Sequence, residues 1–114
     1  MSKREVKLYI EDIKSSIEKI ESYIEGLDFD EFAKDNMVVD AIVRNLTIIG
    51  EAAKNIPKEI KEKNPDISWN EAIGMRNKVA HEYFGVDEEI LWKTIKDDLP
   101  IFKKQILKII RETK

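Results

Sequence analysis

The sequence predicts an all-α fold, an up-and-down antiparallel bundle of four to five helices that forms a single domain over residues 1–114. Apolar residues recur at alternating steps of three and four along most of the chain, and this spacing places them on one face of a helix. The chain has only 4 glycines and 3 prolines, too few for a turn-rich β architecture. The segments between the periodic stretches are short, which favours antiparallel neighbours.

The first predicted helix begins near Val6 and ends at Gly26, because glycine readily adopts the left-handed conformation that closes a helix. Lysine, glutamate and serine fill its other faces. The polar residues 28–35 that follow are interpreted as a connector. The apolar stripe of this helix consists of Val6, Ile10, Ile13, Ile17, Ile20, Ile24 and Leu27.

The second predicted helix covers about residues 36–55 and has an unusually broad apolar surface. Its main stripe is Ile42, Leu46, Ile49, Ala53 and Ile56. Further apolar residues lie off that stripe, at Met37, Val39, Ala41, Val43, Ile48 and Ala52. One neighbour cannot cover so much surface, so this helix is predicted to be central or to form a subunit interface. Pro57 then suits the first turn of a short charged helix that continues to Lys63.

Two more helices are predicted in the C-terminal half. Ser68 and Glu71 have the spacing of a capping box, so a helix should run from Trp69 to about Phe84 and end at Gly85. The last helix begins at the acidic residues 87–89, and Pro100 should kink it or divide it in two. Its buried stripe is Leu91, Ile95, Leu99, Phe102, Ile106 and Ile109.

Composition excludes several classes of function. The 20 basic and 23 acidic residues give a net charge of -3, so bulk positive charge cannot hold a nucleic acid, and any such role needs a local site. The chain has no cysteine, which excludes disulfides and thiolate metal sites. It shows no apolar leader segment and no run long enough to cross a bilayer. We therefore expect a soluble, cytoplasmic protein.

The sequence also lacks the common cofactor motifs. The glycines are scattered singly, so there is no phosphate-binding loop. His81 is the only histidine, and neither a zinc motif of two histidines nor the Glu-x-x-His pattern of di-iron bundles is present. We expect no metal or other cofactor, although the sequence leaves an all-carboxylate magnesium site open.

The residues that carry chemistry are gathered between Gly74 and Gly85. Arg76, Asn77, His81 and Tyr83 lie within eight residues. Arginine binds phosphate through two parallel hydrogen bonds, and imidazole transfers protons near neutral pH. This combination suits phosphodiester chemistry. A purely structural interpretation is also open, in which the histidine caps the last helical carbonyls and the tyrosine is an ordinary boundary aromatic.

Helical geometry limits how these side chains can cooperate within one chain. If the helix continues to residue 84, Arg76 and Tyr83 share a face, whereas His81 lies about 140° away from Arg76. Two copies of the segment could instead meet across a two-fold axis and share a site. A dimer would supply two imidazoles, and RNA cleavage usually needs both an acid and a base.

The pattern Arg76-Asn77-x-x-x-His81-x-Tyr83 resembles the Arg-x4-His-x-Tyr motif of the HEPN superfamily of helical ribonucleases. More narrowly, it is similar to the HepT toxins encoded beside minimal nucleotidyltransferase (MNT) antitoxins. The segments 42–46 and 49–53, Ile-Val-Arg-Asn-Leu and Ile-Gly-Glu-Ala-Ala, also resemble the second-helix signature of that family. The similarity covers most of the chain.

This resemblance implies a metal-independent endoribonuclease that acts as a homodimer with its cleft at the subunit interface. By the same resemblance, Arg76 would hold the scissile phosphate, and His81 would serve as general base toward the 2′-hydroxyl or as acid toward the leaving oxygen. Asn77 would position the RNA substrate. Tyr83 would accept AMP from a partner nucleotidyltransferase, and the bulky anionic adduct would block the cleft.

Two alternatives of other classes remain open from the sequence. The chain could be a non-catalytic helical partner that binds a nucleotide or a nucleotidyltransferase, or a purely structural dimerisation domain. Arg44 and Glu51 are seven residues apart and should share one helical face. They could support the cleft, but a solvated ion pair between them is the favoured interpretation.

Overall fold

The computed structural model describes residues 5–81 and 85–112, with only the backbone of His81. These residues form seven α-helices, one π-helical turn and a pair of two-residue strands, which confirms the predicted all-α class. In chain order the elements are α1 Val6–Ile24, α2 Phe29–Lys34, α3 Asn36–Lys54, α4 Lys58–Lys63, α5 Trp69–Val79, β1 Ala80–His81, β2 Gly85–Val86, α6 Glu88–Lys93, the π-helical turn Thr94–Asp98 and α7 Leu99–Glu112.

The core is built from the predicted stripes. On α1 the isoleucines at 10, 13, 17, 20 and 24 are all buried, and each contributes about 1.5–3 kcal/mol of hydrophobic free energy. Gly26 follows with a φ of 79°, as predicted for the end of this helix. α3 packs against α1 on one side and α5 on the other, so its predicted central position is confirmed. α7 completes the core against α1.

α3 and α5 approach each other closely at Gly50 of α3. A Cβ atom placed on this glycine would lie 3.0 Å from the backbone carbonyl oxygen of Ile73 on α5. Even a methyl side chain here would require the Ile73 carbonyl to give way by a few tenths of an ångström. The glycine therefore sets the distance between α3 and α5.

The interpretation of residues 28–35 as a connector is wrong, because they contain the helix α2. The Asp28 side chain accepts a hydrogen bond from the Glu31 N–H at 2.8 Å, and the Glu31 side chain accepts from the Asp28 N–H at 3.1 Å. Phe32 is fully buried, with its ring centroid 4.8 Å from that of Trp92. Six residues are too few to show a helical period, and distant aromatic packing stabilises this helix.

The predicted capping box at the start of α5 is also wrong, since the Ser68 side chain caps nothing. Trp69 fixes this helix start instead. Its indole Nε1–H donates to the carbonyl oxygen of Asn64 at 3.2 Å, and its ring is buried edge-on against Phe102.

α5 ends at Val79, five residues earlier than predicted. Ala80 is extended, with φ -129° and ψ 131°, and it pairs with Val86 in an antiparallel ladder. The Asp87 N–H closes this ladder by donating to the Val79 carbonyl oxygen at 2.8 Å. Both Val79 and Ala80 are buried. The last part of the predicted helix is therefore replaced by a short antiparallel pairing between residues 80–81 and 85–86. The pattern of apolar residues along a helix does not predict such a pairing.

The predicted division of the last helix at Pro100 is confirmed. α6 passes into the π-helical turn before α7 begins at Leu99. Proline has no N–H to donate to the carbonyl four residues earlier, so a break in the α-helical ladder just before it is expected. Within residues 5–81 and 85–112, no helix is long and apolar enough to span a membrane.

Truncation of Phe32 tests the role of α2. We expect Phe32→Ala to lower the free energy of unfolding by about 3–5 kcal/mol, because a fully buried aromatic ring leaves a cavity. Urea unfolding followed by tryptophan fluorescence measures it. Met37→Ala is the control, since Met37 is 84% exposed and its loss should change stability by less than about 0.5 kcal/mol. Equal effects of the two variants would contradict the packing of α2.

Two glycine substitutions test the close approach of α3 and α5. We expect Gly50→Ala to destabilise the protein by about 1–3 kcal/mol through overpacking against the Ile73 carbonyl. Gly74→Ala on α5 is the matched control, because a Cβ there meets nothing within 4 Å and should stabilise the helix by about 0.5–1 kcal/mol. Thermal unfolding of both variants gives the comparison, and a stabilising Gly50→Ala would disprove the constraint.

Candidate functional site

Arg76 and Asn77 lie in the last turn of α5, where they face α3 across an open cleft. The cleft has a volume of about 450 Å³. Among the described residues, its walls come from these two helices, so the spacing at Gly50 also affects the width of the cleft. The lining residues are Leu46, Thr47, Gly50, Glu51, Lys54, Ile73, Arg76 and Asn77.

Arg76 is half-buried as a residue, and its guanidinium is held by its neighbour. Its Nη1–H donates to the Asn77 side-chain oxygen Oδ1 at 3.2 Å. No carboxylate within residues 5–80 and 85–112 forms an ion pair with it. A guanidinium has five N–H donors, so most of them remain available to an anion in the cleft. The two predicted site residues Arg76 and Asn77 are therefore in direct contact.

The opposite wall of the cleft is a polar strip on α3 formed by Thr47, Glu51 and Lys54. These residues are three or four apart and therefore share one face of the helix. Both Glu51 and Lys54 are exposed at the cleft. The predicted ion pair between Arg44 and Glu51 is wrong, because no such contact is present and Arg44 does not line the cleft.

His81 lies on strand β1 and not on the helix that bears Arg76. Its backbone pairs with Gly85, which has a φ of 78°, and buried Val79 and Ala80 hold the chain between α5 and the strand. The side chain of His81 lies outside the described part of the protein. The helical angle of about 140° between Arg76 and His81 therefore does not apply.

Tyr83 lies wholly outside the described residues. The argument that it shares a helical face with Arg76 required a helix through residue 84, and α5 ends at Val79. Its assignment as an AMP acceptor thus depends on the motif resemblance and not on helical geometry.

A second opening, of about 640 Å³, borders strand β2 and the start of α6. Its walls include the carboxylates of Asp87, Glu88 and Glu89, which would repel a phosphate. The cleft beside Arg76 is therefore the better anion site. No group of three or more metal-ligating side chains occurs within the ranges 5–80 and 85–112.

The sequence analysis missed Lys54 and Thr47 as cleft residues. The available signal was their helical spacing from Glu51 within the second-helix signature. That spacing defines a shared face, but only the packing of α5 shows that this face borders Arg76.

Comparison with known proteins identifies the family of this chain. The family model described as Ribonuclease HepT-like matches residues 13–109. A relative from Thermococcus cleftensis, named "Probable ribonuclease HepT", is 46% identical over 107 residues, which cover 94% of this chain and 97% of the relative.

A second relative, from Caldanaerobacter subterraneus subsp. tengcongensis, has a name that marks it as a candidate RNase. It is 43% identical over 106 residues, covering 93% of this chain and 95% of the relative. No solved structure matches the chain significantly. The match of the family model over most of the chain, with relatives of this identity over nearly full length, shows that the chain belongs to the HepT-like family of ribonucleases.

Proposed function

We propose that this protein is a metal-independent endoribonuclease that cleaves RNA in the cleft between α3 and α5. The observation that carries the proposal is that Arg76 lines the cleft with most of the donors of its guanidinium unused by the described residues. Family membership supplies the RNA substrate class. A local cationic site of this kind would allow RNA to bind although the net charge of the chain is -3.

Arg76 binds the scissile phosphate and stabilises the negative charge that develops on its oxygens during cleavage. Asn77 holds the guanidinium in place, since its Oδ1 accepts from Arg76 Nη1 at 3.2 Å, and its amide N–H₂ group remains able to donate to the substrate. His81 transfers a proton, either from the attacking 2′-hydroxyl or to the leaving 5′-oxygen. The products are a 2′,3′-cyclic phosphate and a 5′-hydroxyl.

The active form is proposed to be a homodimer, with its active-site cleft at the subunit interface. One chain has a single histidine, and a two-fold arrangement would bring two to one substrate. The described surface also has an exposed apolar residue that such an interface could bury, since Ile101 on α7 is 60% exposed.

The proposal extends to a toxin–antitoxin pair with a minimal nucleotidyltransferase. In it, the nucleotidyltransferase moves AMP from ATP to the Tyr83 hydroxyl, releasing pyrophosphate. The adduct adds a phosphodiester anion and a nucleoside two residues from His81, so it competes with RNA for Arg76 and fills the approach to the cleft. Motif resemblance and family membership support this step.

Cleavage of a structured RNA in EDTA tests the enzyme directly. We expect wild type to cut and His81→Ala to lose about 10²–10⁴-fold in rate, as is usual when an acid or base is removed. Arg76→Ala should lose about 10²–10³-fold because charge stabilisation is lost. Arg111→Ala on the exposed end of α7 removes the same charge away from the cleft, and we expect it to retain full activity.

Mixing the two inactive variants tests the shared site in the same assay. If Arg76 of one subunit works with His81 of the other, heterodimers of Arg76→Ala and His81→Ala regain an intact site and activity returns. Activity that stays absent on mixing would place both residues in one chain. If unmodified wild type is inert, the enzyme proposal fails, and the non-catalytic partner that binds a nucleotide or nucleotidyltransferase takes its place.

Replacement of Tyr83 tests the modification. With a partner nucleotidyltransferase and ATP, we expect wild type to gain the mass of one AMP and lose RNase activity, whereas Tyr83→Phe should gain no mass and stay active. Tyr23→Phe, on α1, is the matched control and should be modified like wild type. AMP found on Tyr83→Phe by intact-mass measurement would assign the acceptor to another residue.

A further inference from the structure

The cleft contains a carboxylate that the proposed reaction has not used. Glu51 lines the α3 wall directly across from Arg76 and Asn77. The Glu51 backbone carbonyl accepts from Asn55, but the side-chain carboxylate has no hydrogen bond or ion pair with any residue within 5–80 and 85–112. Its acceptor oxygens are therefore available to a ligand.

A free carboxylate in an anion-binding cleft weakens the binding of the anion by electrostatic repulsion, so its presence needs an explanation. It repels the phosphate that Arg76 attracts, and no contact with Arg76 cancels its charge. The charged groups that face it from the two walls are Lys54 on α3 and Arg76 on α5, with neutral Thr47 and Asn77 between them.

The part of RNA that offers a donor beside its phosphate is the ribose 2′-hydroxyl. Arg76 and the α3 wall line the same cleft, so a ribose next to a phosphate on Arg76 would have room beside that wall. We propose that Glu51 is a catalytic residue: its carboxylate accepts a hydrogen bond from the 2′-hydroxyl of the nucleotide bound by Arg76 and takes its proton during cleavage. This inference rests on the proposed ribonuclease function.

The step balances as a transesterification without water or metal. Glu51 takes the 2′ proton as the 2′-oxygen forms a bond to phosphorus. The bond from phosphorus to the 5′-oxygen breaks, and His81 donates a proton to that oxygen. Glu51 is then the general base, which assigns His81 the acid role. Acid and base thus come from different residue types, and each cleft needs only one imidazole.

The test compares wild type, Glu51→Gln and Glu51→Asp on an RNA that wild type cleaves. Gln keeps the size and still accepts from the 2′-hydroxyl, so we expect KM to stay within about twofold while kcat falls about 10²-fold or more, as for loss of a general base. The fall in kcat of wild type toward low pH should disappear in Glu51→Gln, because the carboxylate must be ionised to act. Glu51→Asp should retain that fall at an intermediate rate.

Glu59→Gln is the matched control, because it removes the same charge from an exposed position on α4 outside the cleft, and we expect it to behave as wild type. Thermal unfolding confirms that each variant is folded. If Glu51→Gln cleaves as fast as wild type with the same pH profile, or faster through a lower KM, Glu51 is not the base and the proposal is overturned. Wild-type cleavage with silent Arg76→Ala would still stand in that case, so the two proposals fail separately.

Discussion

The site depends on one constraint, the near-contact of α3 with α5 at Gly50. A backbone carbonyl of α5 lies only 3.0 Å from where a Cβ on Gly50 would be, so the main chains of the two helices approach closely here. Everything in the cleft follows from this distance. Arg76 and Asn77 project from α5, and the polar strip of Thr47, Glu51 and Lys54 projects from α3. A larger distance between the two helices would separate these two groups of side chains. The hydrophobic core elsewhere is tolerant by comparison, since a stripe of isoleucines can be repacked at modest cost.

A second layer of support holds the chain after α5. The helix ends because the backbone of residues 79–81 pairs with residues 85–87, and because Val79 and Ala80 are buried against the core. The ion pair between Lys78 Nζ and Asp98 Oδ2, at 3.4 Å, joins the same end of α5 to the π-helical turn. Both side chains of that pair are largely exposed, so it orients the turn more than it stabilises the protein.

Most of the fold could be predicted from the sequence, because long helices show their period. α1, α3 and α7 each carry a full stripe, and Gly26 and Pro100 mark breaks whose cause is local. The elements that could not be predicted depend on contacts made outside the helix concerned. α2 is too short for a period and is stabilised by Trp92 from far along the chain. The end of α5 depends on strand pairing, and the start of α5 on an indole donating to Asn64.

The site shows the same division between local and distant information. The pair Arg76 and Asn77 could be predicted because adjacent residue types carry the chemistry. The spacing along the second helix predicts the face on which Glu51 lies. It does not predict that α5 packs beside this face, and it favours an ion pair with Arg44 that the structure does not contain. Lys54 was not considered. Spacing within one helix fixes which residues lie together, whereas only the packing of a second helix determines what they lie against.

The change from helix to strand between Arg76 and His81 has a consequence for how this motif can vary in length. Along a helix, one added residue turns the following side chains by about 100° and advances them by about 1.5 Å. Along a strand, it advances them by about 3.3 Å and reverses the face. An insertion before Val79 would move Val79 and Ala80 out of the core. An insertion after Ala80 would leave the core intact and turn the histidine to the other side. The number of residues between Arg76 and His81 is therefore linked to the residue at which α5 ends. A different number of residues could bring the same two side chains to one site only if the end of the helix moved as well.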